Sequence, residues 1–92
     1  MARIYQTSDM GEAAVRVAIV DEPGQADLCV HRVANWGLAS GDGLWYITRD
    51  KQEATAWVYF GGRGFAQVLV CFVDNYTQAG WQGGSSFKGR FG

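Results

Sequence analysis

Ninety-two residues suit one domain, and a hydrophobic content of 48% suffices for a small core. A net charge of −1 supplies no field to hold nucleic acid or an anionic membrane. Two cysteines are too few for a disulfide scaffold, and no apolar run approaches the roughly 20 residues of a membrane helix.

The opening Met1-Ala2-Arg3-Ile4-Tyr5-Gln6 turns polar at once, without the apolar core of an export signal. With few cysteines, this predicts a cytoplasmic protein with reduced thiols. Thirteen Gly against one Pro predict many tight turns. Four Trp, four Tyr and five Phe predict either an aromatic core or rings displayed at the surface, with burial favoured.

In chain order, residues 4–7 form the first apolar run and 9–13 the first turn. The run 15–20 leads into Asp21-Glu22-Pro23-Gly24-Gln25-Ala26, and the run 28–33 into Asn35-Trp36-Gly37-Leu38-Ala39. Ser40-Gly41-Asp42-Gly43 then precedes the run 44–48, as a longer loop or as one that reaches a ligand. The turn 50–54, the run 56–60, the turn 62–66, the run 68–73 and the turn 75–79 complete the series. Each turn closes in an alanine: Ala13, Ala26, Ala39, Ala54, Ala66, Ala79. Their separations are 13, 13, 15, 12 and 13 residues.

Aligned on these alanines, the chain rewrites itself. Four positions earlier stand Asp9, Glu22, Asn35, Asp50, Gly62 and Asn75. Asp and Asn in such turns bond the backbone two residues on. One position earlier stand Glu12, Gln25, Leu38, Glu53, Phe65 and Gln78. The runs between turns are short and rich in β-branched and aromatic residues, which predicts strands. Several are apolar on both faces, which predicts burial on both faces. No apolar 3.6-residue period persists, so no long helix is expected. After Trp81, Gln82-Gly83-Gly84-Ser85-Ser86 predicts a mobile linker. The basic-aromatic Phe87-Lys88-Gly89-Arg90-Phe91 follows, its two rings able to dock back.

The units Gly24-Gln25-Ala26-Asp27-Leu28 and Gly43-Leu44-Trp45-Tyr46, with the closing Asp74-Asn75-Tyr76-Thr77-Gln78-Ala79-Gly80-Trp81, resemble the septoil-knot family of small bacterial domains. The resemblance runs from Ile4 to Trp81. Only Ala26 carries the full Gln-Ala-Asp of the family's unit; Ala39 sits in Leu-Ala-Ser and Ala66 in Phe-Ala-Gln. It implies a chain wound into a torus knot of seven crossings, and it implies no catalytic residues. The expected fold is all-β: six tandem strand-turn units of about 13 residues in one compact, deeply knotted domain. Residues 1–81 form this domain and 82–92 the linker and tail. Small side chains suit close chain crossings, so the six alanines are the candidate crossing residues.

Candidate chemistry is sparse. Cys29 and His31 lie two apart on one strand and share a face. They could open a nucleophilic mechanism, but no third orienting group is evident. One His and two Cys make no zinc motif, and no metal or cofactor is expected. Gly61-Gly62-Arg63-Gly64 lacks the Lys-Ser/Thr of a phosphate loop and reads as a turn whose Arg63 could meet an anion. Two tail cations, Lys88 and Arg90, release few counterions, so nucleic acid is not the expected partner. Trp36 and Tyr76 share a turn position, flanked by Asn35 and Asn75. Exposed, they would offer rings for stacking and amides for sugar hydroxyls; folded inward, they would cover the core edge. The leading expectation is a non-enzymatic interaction or structural module with a protein or glycan partner. A carbohydrate-binding protein using those four residues is the alternative, and a Cys–His hydrolase a distant third.

Overall fold

The computed structural model describes residues 2–92. Met1, the first residue of the expected domain, lies outside them. The chain is all-β. Its strands are β1 (Ala2–Gln6), β2 (Val15–Ile19), β3 (Leu28–Arg32), β4 (Leu44–Thr48), β5 (Ala56–Phe60), β6 (Val68–Phe72) and β7 (Gly80–Trp81). All the expected runs become strands. Four stop one residue early, because Thr7, Val20, Val33 and Val73 each donate one last backbone bond, at 2.8–3.0 Å, before the chain turns away. The two-residue β7 was not expected.

Three-residue 3-10 segments fill five of the turns: η1 (Met10–Glu12), η2 (Pro23–Gln25), η3 (Trp36–Leu38), η4 (Arg63–Phe65) and η5 (Tyr76–Gln78). The side chains of Asp9, Asn35 and Asn75 each accept from the N–H two residues on, which starts the turn. Asp50 does the same for Gln52 in a turn without a 3-10 segment. The alanine then ends each 3-10 turn. Ala13, Ala26, Ala39, Ala66 and Ala79 donate back to the carbonyl three residues earlier and return the chain to extended geometry.

The strands form a closed barrel. Neighbours round the ring are β1, β5, β2, β6, β3, β4 and again β1, all parallel. The chain reaches this order by skipping. From β1 it passes over β5 to β2, then over β6 to β3. From β4 it passes over β1 to β5, then over β2 to β6. Only β3 to β4 is a step to the adjacent place. A skip there would have landed the fourth strand on the place of β1. The single step shifts the second pass into the gaps of the first. It falls at the 15-residue interval, where Ser40-Gly41-Asp42-Gly43 carries the chain back to the start of β4. The crossovers lie on the strands they skip: η2 packs on β6 and η4 on β2.

The ring is strongly staggered. Ile4 sits beside Ala56, Val58 beside Val15, Val17 beside Val68, Val70 beside Leu28, His31 beside Leu44, and Trp45 beside Ala2. The residue advances on successive strands are two, two, two, three, one and two, so one circuit slides by twelve residues. Six strands with that slide incline by roughly 55°, beyond the usual barrel range. The barrel is therefore wide and short, and the molecule measures 33 × 30 × 21 Å.

A wide barrel must be filled. Ala2, Ile4, Val15, Val17, Leu28, Val30, Ala56, Val58, Val68 and Val70 point inward at alternate positions, around the fully buried Trp45. Trp45 contacts the rings of Phe60, Phe72 and Phe91 at 5.1–6.3 Å. A second cluster lies outside the barrel, between β3, β6 and the crossovers: Val20, Ala26, Cys29, Cys71, Val73 and the half-buried Leu69. Several strands are thus buried on both faces. No helix among the described residues is long and apolar enough to cross a membrane.

The alanines differ in surroundings. Ala26 and Ala39 are buried, whereas Ala13, Ala54, Ala66 and Ala79 are half-buried. Ala26→Leu would force three extra carbons into the second cluster. It is expected to cost about 1–3 kcal/mol. Ala66→Leu, with solvent on one side, should cost less. Urea midpoints of the two variants check the ranking, and a parental midpoint for Ala26→Leu would contradict the packing.

Candidate functional site

The β3–β4 junction is the one seam without a skipped strand. Its ladder is short: His31 pairs with Leu44 and Arg32 with Trp45. Beside the first part of β3, where β4 has not begun, antiparallel β7 pairs instead, through Leu28–Trp81 and Cys29–Gly80. Over the second part, η3 lies on β4 and η5 on β3. Between them remains an apolar cleft of about 260 Å³, lined by His31, Val33, Leu38, Leu44 and Tyr76. The irregular step in the winding creates it, because no crossover passes over this seam.

His31 and the hydroxyl-bearing Tyr76 are the residues of the lining with polar side-chain groups. The His31 Nδ1 lies 3.0 Å from the Val73 carbonyl oxygen. A carbonyl only accepts, so Nδ1 carries a proton and donates. In the neutral ring this leaves Nε2 as an acceptor, and no partner engages it among the described residues. Cys29 belongs to the second cluster, not to the cleft. Burial, and secondarily the neighbouring Cys71, push the Cys29 thiol above its usual range. Both effects oppose the thiolate that a nucleophile requires. Cys29 and Cys71 stand opposite each other in the β3–β6 ladder as free thiols.

The four residues expected to bind a ligand are divided by the fold. Trp36 and Tyr76 open η3 and η5, the same turn position as Met10, Pro23 and Arg63, and the two residues are 52% and 67% exposed. Tyr76 lines the cleft, whereas Trp36 stands outside the lining. The Arg3 guanidinium lies 5.3 Å from the Trp36 ring centre and occupies one of its faces. The amide oxygens of Asn35 and Asn75 cap Gly37 and Thr77, and Asn75 also receives the Thr77 hydroxyl. Arg63 opens the exposed turn η4. Among the described residues, no three His, Cys, Asp or Glu side chains gather as a metal site.

Val33, Leu38 and Leu44 were not singled out in the sequence as site residues. A signal for Leu38 existed. It and Phe65 are the apolar exceptions one place before the alanine, and they are 61% and 66% exposed.

A family model described as the 7(1) septoil knot domain matches residues 1–82. No curated protein and no solved structure matches the chain.

Proposed function

The chain belongs to the 7(1) septoil knot domain family, and from that premise we propose that it is a non-enzymatic interaction module. Its binding surface is the seam cleft, and its partner is a protein presenting an aromatic or aliphatic side chain. The observation that carries this reading is the cleft itself, flanked by exposed Leu38 and Tyr76. A volume of about 260 Å³ suits one side chain, since sites for drug-sized ligands begin near 300 Å³. The raised thiol of Cys29, and the Nδ1 of His31 committed to Val73, support the non-enzymatic reading. Carbohydrate binding is less well supported. The acceptors of Asn35 and Asn75 are already used as caps, and for a sugar's hydroxyls the lining's polar side chains offer one imidazole nitrogen and the Tyr76 hydroxyl.

An NMR titration separates the readings. With p-cresol standing in for a tyrosine side chain, the backbone resonances of Val33, Leu38, Leu44 and Tyr76 are expected to shift together. With tri-N-acetylchitotriose they are expected to stay in place. Tyr76→Ala should abolish the p-cresol response and leave the urea midpoint nearly unchanged, because the residue is largely exposed. A response at Trp36 and Tyr76 to the sugar alone would replace this reading with the carbohydrate one. Silence to both would leave a structural module.

A further inference from the structure

A second site lies at a mouth of the barrel, and it is already occupied. Residues 82–86 carry the chain across to it, and the Phe91 ring enters the barrel interior. There the ring is fully buried, 5.1 Å from the Trp45 ring and 6.1 Å from that of Trp81. Asp42, from the loop before β4, receives the backbone around it. One carboxylate oxygen accepts from the Gly89 N–H at 2.6 Å and from the Trp81 indole at 2.8 Å. The other accepts from the Phe91 N–H at 3.3 Å. The Thr55 hydroxyl donates to the Phe91 carbonyl at 2.7 Å.

We propose that Asp42, Trp45, Thr55 and Trp81 form a peptide-recognition site for segments of the form Phe-x-Gly-x-Phe, which this chain fills with its own residues 87–91. The arrangement has the parts such a site needs. A carboxylate reads two backbone N–H groups, a hydroxyl reads a carbonyl, and a ring pocket selects the side chain. Gly89 has φ of 85°, a conformation that favours glycine and lets both N–H groups reach one carboxylate. Phe87 packs half-buried at the rim, while Lys88 and Arg90 point outward and stay unselected.

Two observations mark the segment as an occupant rather than part of the framework. Residues 83–92 add no strand to the barrel, and they begin with the linker Gly-Gly-Ser-Ser. The family match ends at residue 82, whereas all four receiving residues lie within it. The proposal is independent of the seam cleft, which shares no residue with this mouth.

A tethered occupant acts at an effective concentration on the order of millimolar, so it hides the site from a free peptide. The test therefore uses the full chain carrying Phe91→Ala and the synthetic peptide Ser-Phe-Lys-Gly-Arg-Phe-Gly, followed by calorimetry and tryptophan fluorescence. The variant is expected to bind the peptide saturably and to gain urea resistance as peptide is added. The parent chain should show neither effect. The same peptide with alanine for its second phenylalanine should bind at least about tenfold more weakly, since a buried aromatic anchor dominates such contacts. A folded variant that ignores the peptide would overturn the proposal. If Phe91→Ala does not fold, a protease site is placed within residues 83–86 of the parent chain and cut after folding. Release of the peptide on dilution, with the barrel intact and able to rebind it, supports the site. Unfolding on release would make the segment an integral part of the core and overturn it.

Discussion

Refolding of the Pro23→Ala chain from urea, with Cys29 and Cys71 reduced, is expected to be slower than about once per second, and unfolding slower still. The pairing pattern is the reason. Ala2 pairs with Trp45, Ile4 with Ala56, Val15 with Val58 and Leu28 with Val70. Among the six barrel strands, only β3 and β4 are both adjacent and consecutive. Loop-closure entropy must be met before these distant contacts form, and such topologies already fold in milliseconds to seconds. The interleaving adds to this. Strands of the second pass lie between strands of the first, so neither pass closes a barrel alone. We propose that the interleaved passes form the knot for which the family is named, which requires threading. Pro23 is replaced because unfolded-state isomerisation of Glu22–Pro23 takes tens of seconds and would mimic a slow step. It begins η2, is exposed, and is expected to tolerate alanine. Single-exponential refolding in a few milliseconds would rule out threading and leave an ordinary parallel barrel.

Gly43→Ala is expected to destabilise by about 3 kcal/mol, the upper end of overpacking costs. A methyl at this position would stand 2.8 Å from the Gly80 nitrogen and 3.2 Å from both the Ala79 Cβ and the Gly80 Cα. Two of these atoms are backbone, so no side-chain rotation relieves the clash. Neither partner can retreat freely. The Gly43 carbonyl accepts from the His31 N–H at 2.8 Å, and Gly80, with φ of 133°, pairs with Cys29. This is a chain crossing, the end of the last turn lying against the start of β4. Gly24→Ala is the control, since a methyl there meets nothing within 4 Å. Its urea midpoint should match or exceed the parent's. Equal midpoints for the two variants would show that the crossing is looser than these distances state.

Much of the local structure was legible in the residues. Val15, Val17, Val68 and Val70 announced strands by β-branching, and Ala18, Val20, Cys71 and Val73 announced a second buried face. Asp9, Asn35, Asp50 and Asn75 announced turns, through a bond spanning only two residues. The candidate sites were far less legible. Trp36 and Tyr76 share a turn position, yet only Tyr76 reaches the cleft; from η3 it is Leu38 that lines it, while the Trp36 ring is covered on one face by Arg3. Asp42 read as an ordinary loop residue between glycines, and its loop was expected either to be a longer turn or to reach a ligand. It instead gathers Trp81, Gly89 and Phe91, which stand 39 to 49 residues away.

By itself the sequence determined six strands, six turns, a break in the third unit and a family resemblance. These are properties of stretches shorter than about 15 residues, set by side-chain alternation, β-branching and Asx bonding, all of which act between near neighbours. Only the tertiary structure decided that four of the five connections between barrel strands skip a place, that β1 lies between β4 and β5, and that the ring closes with a slide of twelve residues. Strands of similar valine-rich composition carry no label for their partners. Which of them pair is settled by closure of the whole ring around Trp45 and by the length of each crossover. The 15-residue interval announced that the third unit was different. That it must step by one place, and so open a cleft at His31, Leu38, Leu44 and Tyr76, follows only once the other five strands occupy theirs.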